Sequence, residues 1–210
     1  MITCCYTEIN EEWSEQELAD KLLHLPEILR KAALRKTKRA DRQLTVAGKL
    51  LLKEILNLMG KDRSLETLKF NSHHRPYFDG DFDFNIAHSG RLVVCAATNN
   101  GKVGIDIEQI KPIDFADYPD YFTANEWAII RGYPNPFEGF YDLWTRKEAV
   151  LKAIGTGFHT PLSLVDVSMD IVSYDDTDYY LQKIRISPGY QCHIASTAAT
   201  QEVKLLSVSL

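Results

Sequence analysis

No stretch of this sequence is long and apolar enough to cross a membrane. The longest apolar run, residues 92–97, is far shorter than the roughly 20 residues that a transmembrane helix needs. The first residues carry no positive segment followed by an apolar run, so no secretory signal peptide is predicted. We therefore expect a cytoplasmic protein that does not act at a membrane.

The chain also has few cysteines and no net positive charge. The four cysteines, Cys4, Cys5, Cys95 and Cys192, form no Cys-x-x-Cys pair, so we expect reduced, buried thiols. The formal net charge is −5, which does not favour binding to nucleic acid. Because 45% of the 210 residues are hydrophobic and 25% are charged, the chain can bury a core, and global disorder is not expected.

Helical signals dominate the first sixty residues. Ser14 and Glu17 form a capping-box sequence that predicts a helix ending near His24. Apolar residues then recur every three or four positions between Pro26 and Met59. This spacing predicts one long amphipathic helix.

Short strands follow in the sequence. Residues 68–70, 82–86 and 92–98 are predicted strands, separated by turn-forming residues. Asn99-Asn100-Gly101 predicts a hairpin turn, which makes residues 103–107 the returning strand.

The second half repeats the order of helices followed by strands. Capping residues predict a helix from Thr123 to near Gly132, and residues 137–154 predict another. The strands predicted after them are residues 164–169, 179–186, 190–196 and 203–208. We therefore expect an α+β fold with two subdomains, residues 1–103 and 104–210, rather than one parallel sheet.

The sequence Gly104-Ile105-Asp106-Ile107-Glu108 places two acids two residues apart in a predicted strand. Side chains at this spacing project from the same face, so both carboxylates point one way while the isoleucines face the core. Paired carboxylates suit Mg²⁺, which completes its shell with water and substrate phosphates. The same alternation is also typical of an exposed strand face, so the pattern alone leaves both interpretations open.

The helix predicted for residues 137–154 carries a second candidate group. Trp144, Glu148 and Lys152 recur at four-residue spacing and share one stripe. Glu148 and Lys152 also fit a surface ion pair worth about 0.3–0.5 kcal/mol, and Trp144 fits a core position. The helix alone therefore allows a structural interpretation as well.

Residues able to bind phosphate lie in the segment between the helices predicted for the two halves of the chain. Arg75 follows His73 and His74 in a turn-rich segment, and His88 and Ser89 end a predicted strand. The three histidines also fit solvated or structural positions.

A basic run inverts the local charge between Arg30 and Arg42. It contains seven cations and one acid, Asp41. The run fits a solvated helix face, a docking site for an acidic partner, or a site for a terminal phosphate.

In this order, the segments resemble the 4'-phosphopantetheinyl transferases, and among them the long Sfp-type group. The resemblance covers nearly the whole chain. It is carried by residues 104–108, by Trp144-Thr145-Arg146-Lys147-Glu148-Ala149-x-x-Lys152, and by residues 75–76 and 84–89. Each motif is weak alone, but the ordered set is specific. It implies two pseudo-symmetric α+β halves, each a small, mainly antiparallel sheet packed on a long helix, with coenzyme A held between them.

The resemblance also implies an activity and a set of site residues. The implied enzyme is monomeric and moves the 4'-phosphopantetheine arm of coenzyme A to a serine of an acidic apo carrier protein, releasing adenosine 3',5'-bisphosphate. Asp106, Glu108 and Glu148 match the magnesium ligands. The positions that contact coenzyme A match Thr45, Arg75, His88, Ser89, Lys147 and Lys152. Lys152 is expected at the pyrophosphate, and Glu148 is also the candidate base.

Two departures from the family pattern are visible. The family usually has lysine where Arg75 stands, often after glycine rather than His74, and often has serine where Ala87 stands. Arginine keeps the charge and binds phosphate bidentately, so the resemblance still implies binding there.

Two other functions stay open. A non-catalytic module that binds coenzyme A or a carrier protein would be marked by loss of a metal carboxylate or of Lys152, yet all four residues are present. A magnesium-dependent hydrolase of a nucleotide diphosphate would release product without a carrier. The sequence does not identify the carrier, whether acyl, peptidyl or polyketide.

Overall fold

Helices and strands occur in both halves of the chain. The computed structural model describes residues 1–61, 63–156, 160–199 and 202–210. The elements of the first half are β1 (Ile2–Glu8), α1 (Glu15–Leu23), α2 (Glu27–Leu34), α3 (Arg39–Leu58), β2 (Lys69–Phe70), β3 (Pro76–Tyr77), β4 (Asp83–Ser89) and β5 (Leu92–Thr98). Those of the second half are β6 (Val103–Gln109), α4 (Ala124–Gly132), α5 (Pro136–Ile154), β7 (Ile171–Tyr174), β8 (Thr177–Lys183), β9 (Tyr190–Ser196) and β10 (Val203–Ser207). None of the helices in the described ranges has the length and apolar character needed to cross a membrane.

Two four-stranded sheets form the centre of the described structure. The first has the order β10-β1-β5-β4 and the second has the order β6-β9-β8-β7. Only the pair of β1 and β10 is parallel within these two sheets; the other described pairs are antiparallel. The predicted α+β class, with two mainly antiparallel sheets, is confirmed.

Apolar side chains join the sheets and helices in four layers. On one face of the first sheet, Cys95 packs with Leu51 of α3. On its other face, Val94 packs with Ile105 of the second sheet. The far face of the second sheet packs on α4 and α5. Each fully buried side chain of this kind contributes about 1.5–3 kcal/mol, so these contacts hold the layers together.

The four cysteines are free and buried, as predicted. Burial, and to a smaller extent the neighbouring thiol of Cys5, raises the pKa of Cys4 to about 12. A thiol with so high a pKa is almost entirely protonated at neutral pH, so Cys4 is a poor nucleophile.

The single helix predicted for residues 26–59 is wrong, because α2 and α3 are separated at residues 35–38. This separating segment has no apolar side chain that would hold a continuous helix against the sheet. Arg42 donates from Nε to the carbonyl of Lys36 at 2.6 Å, and Arg39 donates to the backbone of the segment before α1. The basic side chains therefore stabilise the break between the two helices.

The hairpin predicted at Asn99-Asn100-Gly101 is also wrong. Gly101 turns the chain with a φ of +80°, but β6 then pairs with β9 in the second sheet. Side chains of β4 accept hydrogen bonds from backbone amides of β6 in place of a backbone ladder. The pairs are Asp83 with Val103 at 2.8 Å, Asn85 with Ile105 at 3.2 Å, and Ser89 with Gln109 at 3.0 Å. These bonds join the two halves at the edge where the site lies.

The strand predicted for residues 164–169 is wrong because backbone groups of this segment bond to side chains of other elements. Lys147 donates to the carbonyl of Val165, and Glu126 accepts from the amide of Val167 at 2.9 Å. Lys147 and Glu126 also form an ion pair at 2.8 Å, and both side chains are fully buried. Since breaking such a pair leaves a buried charge without compensation, this network fixes the segment against α4 and α5.

The last strand crosses from the second half to the first sheet. β10 lies parallel to β1, with Ile2 opposite Val203, whereas the sequence placed this strand in the second half. The sequence analysis did not predict β1, β3 and β7 as strands. The division into subdomains between residues 103 and 104 remains a prediction. β10 belongs to the second half of the chain but pairs with β1 in the first sheet.

A close approach of two backbones joins α5 to β6. A β-carbon at Gly104 would overlap the carbonyl oxygen of Ala149 and would lie 2.5 Å from the amide nitrogen of Ala153. Only glycine leaves room for this contact. Because Gly104 shares one face of β6 with Asp106 and Glu108, the contact places α5 directly over both acids.

Replacing Gly104 with alanine is expected to destabilise the protein, because the helix and strand would have to separate. Overpacking typically costs roughly 1–3 kcal/mol, which corresponds to a fall in melting temperature of about 3–10 °C. The matched control is Gly132→Ala at the end of α4, where a β-carbon meets no atom within 4 Å. Thermal unfolding followed by circular dichroism measures both. An unchanged melting temperature for Gly104→Ala would contradict the close contact.

Candidate active site between β6 and α5

Three carboxyl groups and one ammonium group lie near one another where α5 crosses β6. Lys152 donates from Nζ to Oδ1 of Asp106 at 2.5 Å. Glu108 accepts a hydrogen bond from the Ser89 hydroxyl at 2.6 Å. Glu148 lies one turn before Lys152 on α5 and is influenced by the charges of Asp106 and Lys152. The structure thus brings together five of the predicted site residues.

Burial and mutual charge set the protonation of this group. Burial raises the pKa of Asp106, Glu108 and Glu148, although the charge of Lys152 opposes the shift at each acid. Burial alone would lower the pKa of Lys152, but the charge and hydrogen bond of Asp106 raise it overall. Lys152 therefore stays charged at neutral pH, while the acids accept protons more readily than exposed carboxylates do.

The donor set fits a hard divalent cation. Oδ2 of Asp106 is buried and has no hydrogen-bond partner among the described residues, and one ammonium group cannot balance three carboxylates. Among the described residues, no three His, Cys, Asp or Glu side chains stand close enough together to hold a metal ion. In this arrangement Lys152 bonds to Asp106, and Ser89 bonds to Glu108. Carboxylate oxygens are the ligands that Mg²⁺ prefers, so the chemistry of these residues suits Mg²⁺.

His88 lies at the rim of the site, at the end of β4. Desolvation by the surrounding protein and the charge of Lys152 lower the pKa of its imidazole, which favours the neutral form at pH 7. The charges of Asp41 and Lys36 also act on His88, so part of the basic run lies near this rim.

Thr45 does not contact the acidic group among the described residues. Its hydroxyl donates to the carbonyl of Asp41 at 2.7 Å, within α3. Because Asp41 influences His88, Thr45 lies one helical turn from the part of α3 that borders the rim. Its predicted contact with coenzyme A stays a prediction.

A pocket lies beside Glu148 and Lys152. One wall is the loop before β3 and the other is the last two turns of α5. The lining residues are His73, His74, Arg75, Pro76, Asn85, Glu148, Leu151, Lys152 and Gly155. Arg75 lines this pocket, but its guanidinium group points to the end of α5, where it donates to the carbonyl of Ala153 at 3.1 Å.

Lys147 does not join the acidic group. Its ammonium is fully buried, paired with Glu126, and lies 5.5 Å from the centre of the Phe122 ring. Burial lowers the pKa of Lys147, and the bond to Glu126 opposes this shift. A cation enclosed in this way cannot contact coenzyme A, which corrects the role that the resemblance implied for Lys147.

A histidine that belongs to none of the predicted motifs lies behind Asp106. His193 is opposite Asp106 in the register of β6 and β9 and is 1% exposed. Its Nδ1 lies 2.8 Å from the Thr145 hydroxyl, and its Nε2 lies 3.9 Å from Asp142. Burial lowers the pKa of His193 to about 3, against the opposing charge of Asp142. The signal in the sequence is a histidine in the middle of an apolar strand, but the strand pattern alone assigns it no role.

The chain matches known proteins over the segments that build this site. Residues 102–202 match the family profile described as the 4'-phosphopantetheinyl transferase superfamily. The 4'-phosphopantetheinyl transferase psf-1 of Bacillus pumilus is 31% identical over 182 residues, which cover 80% of this chain and 77% of that protein. The 4'-phosphopantetheinyl transferase Sfp of Bacillus subtilis (strain 168) is 28% identical over 168 residues, which cover 74% of this chain and 75% of that protein. The 4'-phosphopantetheinyl transferase gsp of Aneurinibacillus migulanus is 34% identical over 126 residues, covering 59% of this chain and 53% of that protein.

The paired sheets and these matches define the class of protein. The chain belongs to the 4'-phosphopantetheinyl transferase superfamily, a family of transferase enzymes. Within it, the chain is of the Sfp type, as the motifs around Asp106 and Glu148 predicted.

The buried histidine behind the site makes stability depend on pH. The folded chain holds His193 neutral, with a pKa of about 3 against an ordinary 6.5, so only the unfolded chain takes up a proton as the pH falls below about 6.5. Between pH 7 and pH 5 this residue should cost the wild type about 2 kcal/mol of stability. His193→Gln should be less stable at pH 7, but its deficit should shrink by that amount at pH 5.

Urea unfolding at pH 7 and pH 5 measures this difference. The control is His24→Gln, which removes a histidine from an exposed position at the end of α1. A deficit of His193→Gln that is the same at both pH values would show that His193 does not resist protonation.

Proposed function

We propose that this protein transfers the 4'-phosphopantetheine arm of coenzyme A to a serine of an apo carrier protein, with magnesium as the cofactor. The observation that carries the proposal is the meeting of Asp106, Glu108, Glu148 and Lys152 at one crossing of α5 over β6. Membership of the superfamily supports the class of reaction. The proposed carrier is an acidic acyl, peptidyl or polyketide carrier, and the proposed assembly is a monomer.

Three acids form the proposed magnesium site. Asp106, Glu108 and Glu148 would hold the ion, which when bound offsets the negative charge of the pyrophosphate oxygens. The buried Oδ2 of Asp106, which lacks a partner among the described residues, supports this assignment. Ser89, bonded to Glu108, orients that carboxylate.

Lys152 and His88 are the proposed hydrogen-bond donors to the phosphate groups of coenzyme A. Lys152 stabilises the negative charge that develops on the departing phosphate, and its raised pKa keeps it protonated for this role. His88, neutral and at the rim, donates a hydrogen bond to the pyrophosphate. The nucleotide end lies toward the pocket loop and Thr45. The basic run at the start of α3 faces either the terminal phosphate of coenzyme A or the acidic carrier.

The transfer breaks the phosphoanhydride bond of coenzyme A and forms a phosphoester bond to the carrier. The serine oxygen of the carrier attacks the phosphorus that bears the pantetheine arm, and the bond from this phosphorus to the bridging oxygen breaks. The electron pair leaves with adenosine 3',5'-bisphosphate. The serine proton passes to Glu148, the candidate base, which lies one turn before Lys152 on α5.

Mass spectrometry of an apo carrier protein tests the proposal directly. Incubation with this protein, coenzyme A and Mg²⁺ should add one phosphopantetheine mass, and a chelator of divalent cations should abolish the gain. Acyl, peptidyl and polyketide carriers are compared in parallel. No gain on any of them would overturn the proposal: bound coenzyme A without transfer would indicate a binding module, and bisphosphate released without a carrier would indicate a hydrolase.

Glu148→Gln is expected to abolish transfer while leaving the protein folded. Glutamine keeps the shape of the side chain but cannot take a proton, and loss of a general base typically costs about 10²–10⁴-fold in rate. The matched control is Glu138→Gln, an exposed position on the first turn of the same helix, which should keep full turnover. Single-turnover assays and thermal unfolding are measured together. Near-normal turnover by a folded Glu148→Gln protein would remove Glu148 from the reaction.

A further inference from the structure

Arg75 joins three separate segments of the chain through one guanidinium group. Nη1 donates to the carbonyls of Lys152 and Ala153, the latter at 3.1 Å. Nη2 donates to the carbonyl of Val103 at 3.1 Å, and to Oδ2 of Asp83 at 2.7 Å. The side chain thus ties the end of α5 to the beginnings of β4 and β6.

The partners of Arg75 at the end of α5 and at Asp83 carry partial or full negative charge. The last carbonyls of a helix have no partner within the helix, and they form the negative end of its dipole. Arg75 is 12% exposed at its side chain and Asp83 is 8% exposed, so water competes weakly for the bonds. Gly155 caps α5 with a φ of +83°, and a β-carbon there would lie 3.0 Å from Cδ and Nη1 of Arg75. The end of the helix is therefore shaped around this arginine.

The loop that carries Arg75 is held in a fixed conformation. Oδ1 of Asn71 accepts from the amides of His73 and Arg75 at 2.9 and 2.8 Å. His74 between them has a φ of 60°, in the left-handed region that glycine adopts most easily. This backbone conformation explains why glycine suits that position.

We propose that Arg75 is a positioning residue that fixes the last turn of α5 and thereby sets where the Lys152 ammonium group lies. The inference rests on the proposed function and deepens it, because Lys152 acts at the phosphate. It replaces the expectation that Arg75 binds a phosphate of coenzyme A. Both Nη atoms already donate to protein acceptors, and a bidentate phosphate would have to break bonds to α5 or to Asp83.

Lysine cannot reproduce this arrangement. Its single ammonium nitrogen is a point charge, whereas the planar guanidinium directs donors to two sides at once. Arg75→Lys keeps the charge near the end of α5 but loses one side of the bridge. Asp83→Asn weakens the hold on the guanidinium from the opposite side, at a buried position.

Kinetics with two co-substrates separate positioning from phosphate binding. For Arg75→Ala, kcat for carrier modification should fall at least about tenfold, since small misplacements of a reacting group can cost up to about 10²-fold. The KM for coenzyme A should stay within about twofold. The ratio of kcat/KM for coenzyme A to that for 3'-dephospho-coenzyme A should equal the wild-type ratio. Arg75→Lys and Asp83→Asn should show the same pattern to a smaller extent.

The control is Lys102→Ala, which removes a cation 3.8 Å from the same Asp83 carboxylate and should leave kcat unchanged. A large rise in KM for coenzyme A with kcat preserved would overturn the inference. Loss of discrimination between the two co-substrates in Arg75→Ala would also overturn it, since that is the result for a ligand of the 3'-phosphate.

Amide hydrogen exchange tests the same inference without any substrate. In Arg75→Lys and Asp83→Asn, amides of residues 150–155 should exchange about tenfold faster than in the wild type, while residues 137–145 keep their protection. Equal protection of the last turn in wild type and variants would overturn the positioning role. A wild type that modifies no carrier defeats the proposed function alone, because the exchange measurement still decides whether Arg75 fixes the helix end.

Discussion

The contact between the backbone of α5 and Gly104 is the constraint on which the site depends. Gly104, Asp106 and Glu108 occupy one face of β6, so a helix pressed onto the first of them must pass over the other two. The absent side chain sets the distance between the elements. At that distance Lys152 reaches Asp106 and Glu148 shares its electrostatic environment. A larger residue at this position would move Glu148 and Lys152 of α5 away from Asp106 and Glu108 of β6.

Local periodicity predicted most of the elements and the direction of the important side chains. Alternation in β6 put both acids on one face, and four-residue spacing put Glu148 and Lys152 on one stripe of α5. Neither pattern could bring strand and helix together, because the reason for their contact is a glycine whose role appears only when its partner is known. The family resemblance supplied that step. It also assigned Lys147 to coenzyme A, although this side chain is buried against Glu126.

Two of the wrong predictions share one physical cause, which is hydrogen bonding between side chains and distant backbone groups. Residues 164–169 looked like a strand, but their amides and carbonyls bond to Glu126 and Lys147. β6 looked like the second strand of a hairpin, but three side chains of β4 satisfy its amides. Glu126 caps α4 with one carboxylate oxygen, and its other oxygen bonds to Lys147 and Val167. Local patterns do not reveal which distant side chain will supply a bond.

The parallel pairing of β1 with β10 has a consequence for how this chain folds. Ile2 and Val203 are neighbours in the first sheet although about 200 residues separate them in sequence. Closing so large a loop carries an entropic cost before the contact is rewarded, and pairings of this kind slow folding. During synthesis, β1 can pair with β5 early, but its other edge waits until β10 has been made. The nascent chain therefore spends time with an open strand edge, which is the state in which aggregation competes with folding.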